Sequence, residues 1–458
     1  MRATAISRQM TRRQFLASAT FASAGATIST SWPGLLAARR SKTDSVKTPA
    51  LGKLPSENRT LLAAVEQAHA VLWNKFIDRN GIILDFVGDL PTPEDCSLGR
   101  PNALGWWSPI EDGPMFTGLY LPAACERACR SGDPIDKASA RRLAQGLLKC
   151  ASASDVPGFI ARGFGTDGRC HYPLGSDDQT HPWFYGLFAY LQSGIPSAVE
   201  RKQILHKMTD VTNALEATAW NCPGDCSFKG QFRGSFEGST FRDASRYLFM
   251  LRGMYEATRN SVWLDRYRRA LDECPTDSNH TRGEICAAGL DFDRIGLGVD
   301  SLWIYVGSQG ALAKLAAWET NESIRARFRA GLASGVERVI APSEECKKFD
   351  NNDTKVFGNA DWRSGYPTWF PQKTPADAVR LSEMGDQKKL GERKTYENRY
   401  MRNPLAAAAI IALGGDSTGR DAVERAIRHY DYSKIYLSQF FFAECAYYAL
   451  PGGTEGQR

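Results

Sequence analysis

The sequence lacks several patterns that would assign it to a class at once. After the first forty residues it has no run of 18 consecutive apolar residues, so we expect no membrane span. It has no Gly-x-Ser-x-Gly nucleophile elbow and no phosphate-loop motif. Gly163-x-Gly165-x-x-Gly168 follows no clear strand and is interpreted as a loop rather than a dinucleotide fingerprint. We therefore predict an enzyme or binding protein that uses no cofactor.

The first forty residues have the composition of an export signal. Thr11-Arg12-Arg13-Gln14-Phe15-Leu16 precedes a run of small, weakly apolar residues that ends at Thr27. A charged region with a twin arginine, a short apolar region and small residues suited to cleavage are typical of a twin-arginine signal. We predict a signal region over 1–40, a linker over 41–58, and a periplasmic or extracellular protein. Its partner during export would be the twin-arginine translocase.

The excess of positive charge lies in this signal region. The full chain has a formal net charge of +6, and the region contains six arginines (2, 8, 12, 13, 39 and 40) and no acidic residue. The remaining chain is therefore close to neutral. This removes the main support for a nucleic-acid partner.

The eleven cysteines are a high number for a cytosolic protein and fit an exported one. Cys222 and Cys226 belong to the turn sequence Cys-Pro-Gly-Asp-Cys, and Cys274 and Cys286 flank another loop. A zinc site needs four ligands at suitable spacing, and no second cysteine pair with a nearby histidine supplies them. We predict one or two loop disulfides and no metal.

Apolar residues recur with helical spacing in twelve segments, and no segment shows a convincing strand alternation. A further short helix is predicted near 375–388. The twelve predicted helices cover 59–78, 114–131, 134–152, 181–193, 197–219, 243–258, 261–274, 298–319, 322–341, 402–414, 419–430 and 435–449.

The connections between these helices alternate in length, and the even-numbered helices are apolar nearly all round. Helices joined in series, with long loops at the same end, predict an all-α fold over 59–450. In this predicted fold, six helical hairpins form an (α/α)6 barrel with the even-numbered helices inside. Residues 451–458 are predicted to form a flexible tail. A stacked-helix repeat protein is the alternative, but its loops would be more uniform. The long loops cover 79–113, 153–180, 220–242, 275–297 and 342–401.

The long loops carry the residue types of a sugar-binding cleft. They lead into inner-helix N-termini, whose unpaired N–H groups and dipoles favour anionic groups. Aromatic faces stack on pyranose rings, and arginines and carboxylates hydrogen-bond hydroxyls and acids. The predicted substrate-binding residues are Trp106, Trp107, Arg169, Gln179, Arg233, Glu237, Arg242, Arg246, Trp362, Tyr366, Trp369 and Arg399.

The sequence Ser176-Asp177-Asp178-Gln179-Thr180-His181-Pro182-Trp183-Phe184 opens a predicted inner helix. With the twelve-helix pattern, it resembles the six-hairpin glycosidase superfamily. That superfamily includes the unsaturated glucuronyl and rhamnogalacturonyl hydrolases, in which one aspartate of an Asp-Asp pair protonates a 4,5-unsaturated uronide. The resemblance implies a glycoside hydrolase acting on uronic-acid-containing oligosaccharides. Polysaccharide lyases, sugar epimerases and inverting glucanases share the shape, so the fold alone does not choose a chemistry.

Carboxylate acid/base hydrolysis assigns Asp178 as the acid and Asp177 as its partner or as a helix cap. Like charges or a dry pocket raise the pKa of one carboxyl so that it stays protonated. Alternatively, both aspartates only cap the helix that follows. A second carboxylate could come from Glu111, Asp112, Glu237, Asp243 or Asp361.

Two other functions remain open. In a lyase, His171 would remove the C5 proton of the uronate and Tyr172 would protonate the leaving oxygen. The His171-Tyr172 pair just before the two aspartates is where the sequence departs from the hydrolase pattern. Arg169, Arg233, Arg242 or Arg246 would then hold the uronate carboxylate. A toroid with aromatic loops could also bind a polysaccharide or oligosaccharide without cleaving it. The sequence favours hydrolysis over elimination.

Overall fold

A computed structural model describes residues 59–100, 102, 108–292, 298–365, 369–384, 391–415 and 417–451. The predicted signal region, the linker 41–58 and the tail beyond residue 451 lie outside the described residues. Most of the described chain is helical. Its helices are α1 (Leu61–Lys75), α2 (Pro93–Ser97), α3 (Gly113–Ser131), α4 (Pro134–Cys150), α5 (Asp177–Gln192), α6 (Ala198–Ala217), α7 (Phe241–Thr258), α8 (Ser261–Asp272), α9 (Arg282–Ala288), α10 (Val306–Trp318), α11 (Glu322–Glu344), α12 (Trp362–Gly365), α13 (Pro375–Glu383), α14 (Arg393–Glu397), α15 (Asn403–Leu413), α16 (Arg420–His429) and α17 (Phe442–Ala449).

The all-helical prediction needs one correction. Two short antiparallel strands, β1 (Asn221–Pro223) and β2 (Phe232–Ser235), pair in the loop before α7. Strands of three and four residues are too short to show an alternating pattern.

All twelve predicted helices have a counterpart in the structure, and α13 corresponds to the short helix predicted near 375–388. One difference bears on the site. Helix α5 begins at Asp177 instead of residue 181, so the two aspartates lie inside its first turn. Helix α15 follows directly on a π-helical turn, Asn398–Arg402. The sequence did not predict α2, α9, α12 or α14, each of which has seven residues or fewer.

Local side-chain caps explain where several helices start. Thr240 caps α7, and its hydroxyl oxygen accepts a hydrogen bond from the backbone N–H of Asp243. The Asp243 carboxylate accepts in return from the backbone N–H of Thr240. This reciprocal pair is a capping box, and Ser197 and Glu200 form another at α6. Asp243, named above as a possible second carboxylate, therefore has a structural role at the start of α7.

Helices α3, α5, α7, α10 and α15 bury most of their residues, and α17 buries half of its residues. Each packs against the next one in chain order, and α17 also packs against α3. The remaining long helices α1, α4, α6, α8, α11 and α16 each pack against members of this buried set. Along the chain, these remaining helices alternate with the buried set.

Helices α3 and α5 approach each other to backbone contact. A Cβ atom at Gly118 would lie 2.0 Å from the carbonyl oxygen of Pro182. A Cβ atom at Gly186 would lie 2.8 Å from Cα of Gly118. Only glycine fits at such separations, so these two residues set the distance between the two helices.

The prediction of loop disulfides is not supported, because all eleven cysteines are free thiols in the structure. Within the Cys-Pro-Gly-Asp-Cys turn, Cys222 is buried and Cys226 is exposed. In the second predicted pair, Cys286 is buried in the core and Cys274 is exposed. Among the described residues, no helix combines the length and low polarity needed to cross a bilayer.

Candidate functional site

Polar contacts join the starts of α3, α5, α7 and α10. Nε2 of Gln179 in α5 donates to Oδ1 of Asp112, the residue just before α3, over 2.7 Å. Arg246 in α7 contacts Asp178 in α5, with 2.8 Å between Nη1 and Oδ1. The other terminal nitrogen of Arg246 donates to the carbonyl oxygen of Ile304, just before α10, over 2.9 Å. The side chains at these helix starts therefore face a common region.

The starts of α15 and α17 extend the same set of contacts. Nδ2 of Asn403, the first residue of α15, donates to the carbonyl oxygen of Asp300 over 2.8 Å. The backbone N–H of Ser438, shortly before α17, donates to the carbonyl oxygen of Asp85 over 3.0 Å. The side-chain amide of Gln439 is buried, and neither its nitrogen nor its oxygen has a hydrogen-bond partner among the described residues.

Three buried carboxyl groups gather at the start of α3. Oδ2 of Asp85 accepts from the backbone N–H groups of Glu111 and Asp112, over 2.9 and 3.0 Å. Oε2 of Glu111 is buried without a hydrogen-bond partner in the described part of the chain. Burial, reinforced by the Asp112 charge, raises the pKa of both Asp85 and Glu111 well above the ordinary range. Both shifts favour the protonated form of these two carboxyl groups.

Arg162 links this carboxyl group cluster to the start of α5. Its Nη1 lies 3.4 Å from Oδ1 of Asp112, and its Nη2 donates to the hydroxyl of Ser176 over 3.0 Å. Burial raises the pKa of Asp112 to about 6, although the charge of Arg162 opposes the rise. Asp112 is thus a carboxyl group that can hold or release a proton close to neutral pH.

Arg246 holds Asp177 and Asp178 together. Its Nη1 lies 3.1 Å from Oδ2 of Asp177 and 2.8 Å from Oδ1 of Asp178. Arg242, one helical turn earlier, lies within 4 Å of both carboxylates. The side chain of Asp177 is 9% exposed and that of Asp178 is 31% exposed, so Asp178 is the more accessible of these two carboxylates.

The two neighbouring aspartates have different pKa shifts. Burial, together with the charge of Asp178, raises the pKa of Asp177 to about 6. Burial acts in the same direction on Asp178, but Arg242 and Arg246 outweigh it and hold its pKa below the ordinary value. Asp178 is therefore ionised at neutral pH. Its predicted role as the acid requires the protonated form, which the two arginines disfavour.

Cationic and aromatic side chains from other elements lie at the same helix starts. The guanidinium of Arg402 lies 4.7 Å from the ring centroid of Trp303. Trp303 packs edge-on against Phe116 in α3, with 6.1 Å between the ring centroids. Lys394 interacts electrostatically with Glu111, and burial lowers the pKa of its ammonium group to about 8. The region thus combines cations with an aromatic platform.

The chain matches no protein-family profile, no curated protein and no solved structure. Its function therefore has to be inferred from the geometry of the site.

Several predicted residues belong to this site. Gln179, Arg242 and Arg246 contact its carboxylates directly. Arg233 in β2 interacts electrostatically with Arg162 and Asp178, and burial together with the Arg162 charge lowers its pKa. Gly234 next to it makes room for Asp177, because a Cβ atom there would lie 2.0 Å from the aspartate Oδ1.

Other predicted residues lie elsewhere. Trp362 is buried, and its Nε1 donates to the carbonyl oxygen of Asp89, so its ring is part of the core. Glu237 is exposed beside Arg282, and Arg399 is exposed over the ring of Tyr400. Trp106, Trp107 and Tyr366 lie outside the described residues.

His171 and Tyr172 contact different groups. Nε2 of His171 lies 3.1 Å from Oδ2 of Asp225. The hydroxyl of Tyr172 donates to Oε1 of Gln372 over 2.5 Å, and its ring packs with Phe228. Burial raises the pKa of Tyr172. A cavity beside them is lined by Arg169 and Trp369, which were predicted to bind substrate.

Sequence reasoning did not single out Asp85, Arg162, Trp303, Lys394 or Arg402. Arg402 had a usable signal, since it stands directly before an apolar inner helix that begins Asn403-Pro404. Asp85 and Arg162 had none, because both lie inside long loops whose path depends on the tertiary structure.

Proposed function

We propose that the twelve long helices form six hairpins closed into an (α/α)6 toroid. The cyclic packing of α3, α5, α7, α10, α15 and α17 supports this architecture, since the last of these helices returns to the first. The polar contacts among their starts support a single cleft at one end of the toroid. The resemblance to the six-hairpin glycosidase superfamily points to the same arrangement.

We further propose that the protein is an exported glycoside hydrolase that acts on uronic-acid-containing oligosaccharides. One observation carries this proposal, namely that Asp112 and Asp178 share a region while their pKa values are driven apart. The pKa of Asp112 is raised to about 6, and that of Asp178 is held below its ordinary value. A protonated and an ionised carboxyl are what acid/base glycoside hydrolysis requires.

In the proposed reaction, Asp112 donates its proton to the leaving oxygen of the glycosidic bond. Asp178 removes a proton from the attacking water, whose oxygen forms the new bond to the sugar carbon. The two carboxyl groups exchange protonation states, and solvent restores them after product release. For a 4,5-unsaturated uronide, the same acid would protonate the double bond before water adds.

The cationic side chains explain the choice of a uronate. Arg233 and Arg242 lie next to the exposed aspartate, and Lys394 and Arg402 lie next to the carboxyl group cluster before α3. A substrate carboxylate can therefore pair with a cation without displacing the acidic residues. Trp303, which lies under the guanidinium of Arg402, adds an aromatic ring to the same region.

Ultraviolet absorbance of the 4,5-unsaturated uronate chromophore tests the proposal. The purified protein is incubated with uronic-acid polysaccharides and, separately, with lyase-generated unsaturated oligosaccharides. Falling absorbance on the oligosaccharides is the expected result, and Asp112→Asn and Asp178→Asn should each abolish it. Rising absorbance on the polymers would replace hydrolysis by lyase chemistry. If absorbance stays flat on both and glycan binding persists, the uronate hydrolase proposal fails and a binding role replaces it.

A further inference from the structure

Two loops meet beside the cavity that Tyr172 lines. Leu174 forms an antiparallel bridge with Gly224, and the backbone N–H of Asp225 donates to the carbonyl oxygen of Pro173 over 2.7 Å. This pairing brings His171 next to Asp225 and Cys226. One nitrogen of His171, one carboxylate oxygen of Asp225 and the sulfur of Cys226 all lie within 4.8 Å of one another.

The imidazole of His171 is held in a defined orientation. Its Nδ1 lies 2.9 Å from the carbonyl oxygen of Arg169, which can only accept a hydrogen bond, so Nδ1 carries a proton. Its Nε2 lies 3.1 Å from Oδ2 of Asp225. In the neutral imidazole, the Nε2 lone pair would face a carboxylate oxygen. That contact is favourable only if a second proton or a metal ion lies between the two atoms.

A carbonyl oxygen bound to the remote N–H is the usual support of a metal-bound histidine. The carboxylate has comparable support. Oδ1 of Asp225 accepts a hydrogen bond from the backbone N–H of Cys226 over 2.7 Å. The side chains of His171 and Asp225 are 10% and 12% exposed, so few alternative partners can reach them.

We propose that His171, Asp225 and Cys226 bind Zn²⁺ in a site with three protein ligands. Imidazole, carboxylate and thiolate are all zinc ligands, and the combination with sulfur disfavours Mg²⁺ and Ca²⁺. Bonds of about 2.0–2.3 Å to a tetrahedral centre separate ligand atoms by about 3.2–3.7 Å. The nitrogen–oxygen distance of 3.1 Å is close to this requirement. The exposed thiol, which lies within 4.8 Å of the other two ligand atoms, needs to approach by at most about 1–1.6 Å to complete it.

The zinc ion would be accessible from the adjacent cavity. His171 and Cys226 both line this space of about 660 Å³, together with Trp369 and Phe228. Three protein ligands leave the fourth position of a tetrahedral zinc for water or for an anionic ligand group. None of the three proposed ligands belongs to the proposed hydrolase centre, and a metal-bound His171 could not serve as the base of a lyase.

Cobalt substitution tests the site in the full-length protein, kept reduced and stripped of metal with a chelator. Co²⁺ bound through a thiolate gives a near-ultraviolet charge-transfer band. Zn²⁺ should displace the Co²⁺ and remove this band at one zinc ion per chain. Cys226→Ser should remove the band. Cys226→Ser and His171→Gln should each weaken zinc binding at least about 100-fold. This loss exceeds the one expected for a residue that only hydrogen-bonds a metal ligand.

Matched controls come from the same chain. Cys274→Ser removes another exposed thiol, and His206→Gln breaks an exposed His206–Asp210 pair with 3.5 Å between its ring nitrogen and carboxylate oxygen. Both control variants should bind zinc like the parent protein. Circular dichroism checks that each variant is folded. Absence of binding at one equivalent, or zinc affinity unchanged in folded Cys226→Ser, would overturn the proposal in favour of a His171–Asp225 ion pair.

Discussion

Gln179 donates a 2.7 Å hydrogen bond from Nε2 to Oδ1 of Asp112, while its Oε1 accepts from the backbone N–H of Met115 over 3.2 Å. One buried side chain in α5 thus fixes both the acidic residue before α3 and the first turn of α3 itself. The position of Asp112 depends on this amide, as well as on Arg162. Activity should therefore respond to changes around Asp112 that leave the fold intact.

Replacing Asp112 with asparagine should lower kcat/KM on unsaturated uronyl oligosaccharides by about 10²–10⁴-fold, the usual contribution of general acid catalysis. The amide oxygen can still accept from Gln179, so the fold should persist. Asp136→Asn is the matched control, because Asp136 is a buried carboxylate that pairs with Arg127 near the other end of α3. Steady-state kinetics and thermal melting of both variants provide the comparison. Equal activity losses in the two variants would argue against a proton-donor role for Asp112.

The pH dependence of kcat/KM should reflect the raised pKa of Asp112. Because the acid must be protonated, kcat/KM should fall about tenfold per pH unit above about pH 6. Asp178 stays ionised down to acidic pH, so it adds no decline near neutrality. A profile measured from pH 4 to 9 checks this, with Asp136→Asn as the control that keeps the same curve. A rate that is flat through pH 6–8 would contradict the assignment.

The same shift predicts an effect on stability. A carboxyl group whose pKa is higher in the folded state favours folding when protonated, below its unfolded pKa of 3.8. That contribution is lost as the pH rises through about 6. The asparagine of Asp112→Asn cannot ionise. The unfolding free energy of the variant minus that of the parent should therefore increase by about 1–3 kcal/mol from pH 4 to pH 7. Urea denaturation of both proteins at both pH values measures this increase. If the difference between variant and parent were the same at pH 4 and pH 7, burial of an ionising Asp112 would be contradicted.

Arg246→Met should abolish activity and lower the free energy of unfolding by about 3–5 kcal/mol, because it leaves two carboxylates without their main counter-charge. Arg252→Met is the control on the same helix. Arg252 is also buried and lies 3.0 Å from Glu256 and 3.6 Å from Glu319, away from the aspartate pair. It should lose similar stability and keep its kcat. Kinetics at a temperature where both variants are folded distinguish the two effects, and loss of kcat in both would point to a global cause.

Gly118→Ala should destabilise the protein by more than about 2 kcal/mol, because the new methyl group would overlap the carbonyl oxygen of Pro182. Gly132→Ala serves as the control at the end of the same helix. It has open space around it and a positive φ of 67°, so it should cost only about 1–2 kcal/mol. Chemical denaturation compares them, and equal losses would mean that α3 and α5 can separate without penalty.

Helical periodicity was sufficient to predict the twelve long helices, since each buries one face or nearly all of its surface. It could not predict where α5 begins, because Asp177 and Asp178 resemble residues that precede a helix. Nor could it predict ionisation states. The charge of Asp178 depends on Arg242 and Arg246, which are more than sixty positions away and approach it only in the folded chain. The sequence alone likewise could not show that His171 would contact Asp225.

The contact of Gly118 with Gly186 has a mechanical consequence. Two helices that touch through their backbones cannot slide or tilt without a steric clash, so α3 and α5 move as one piece. Asp112 and Asp178 stand at the ends of these coupled helices, and their separation is thereby insulated from motions of the surrounding loops. If the protein acts as the proposed hydrolase, substrate entry depends on displacement of other segments, while the spacing of the two acidic residues stays constant.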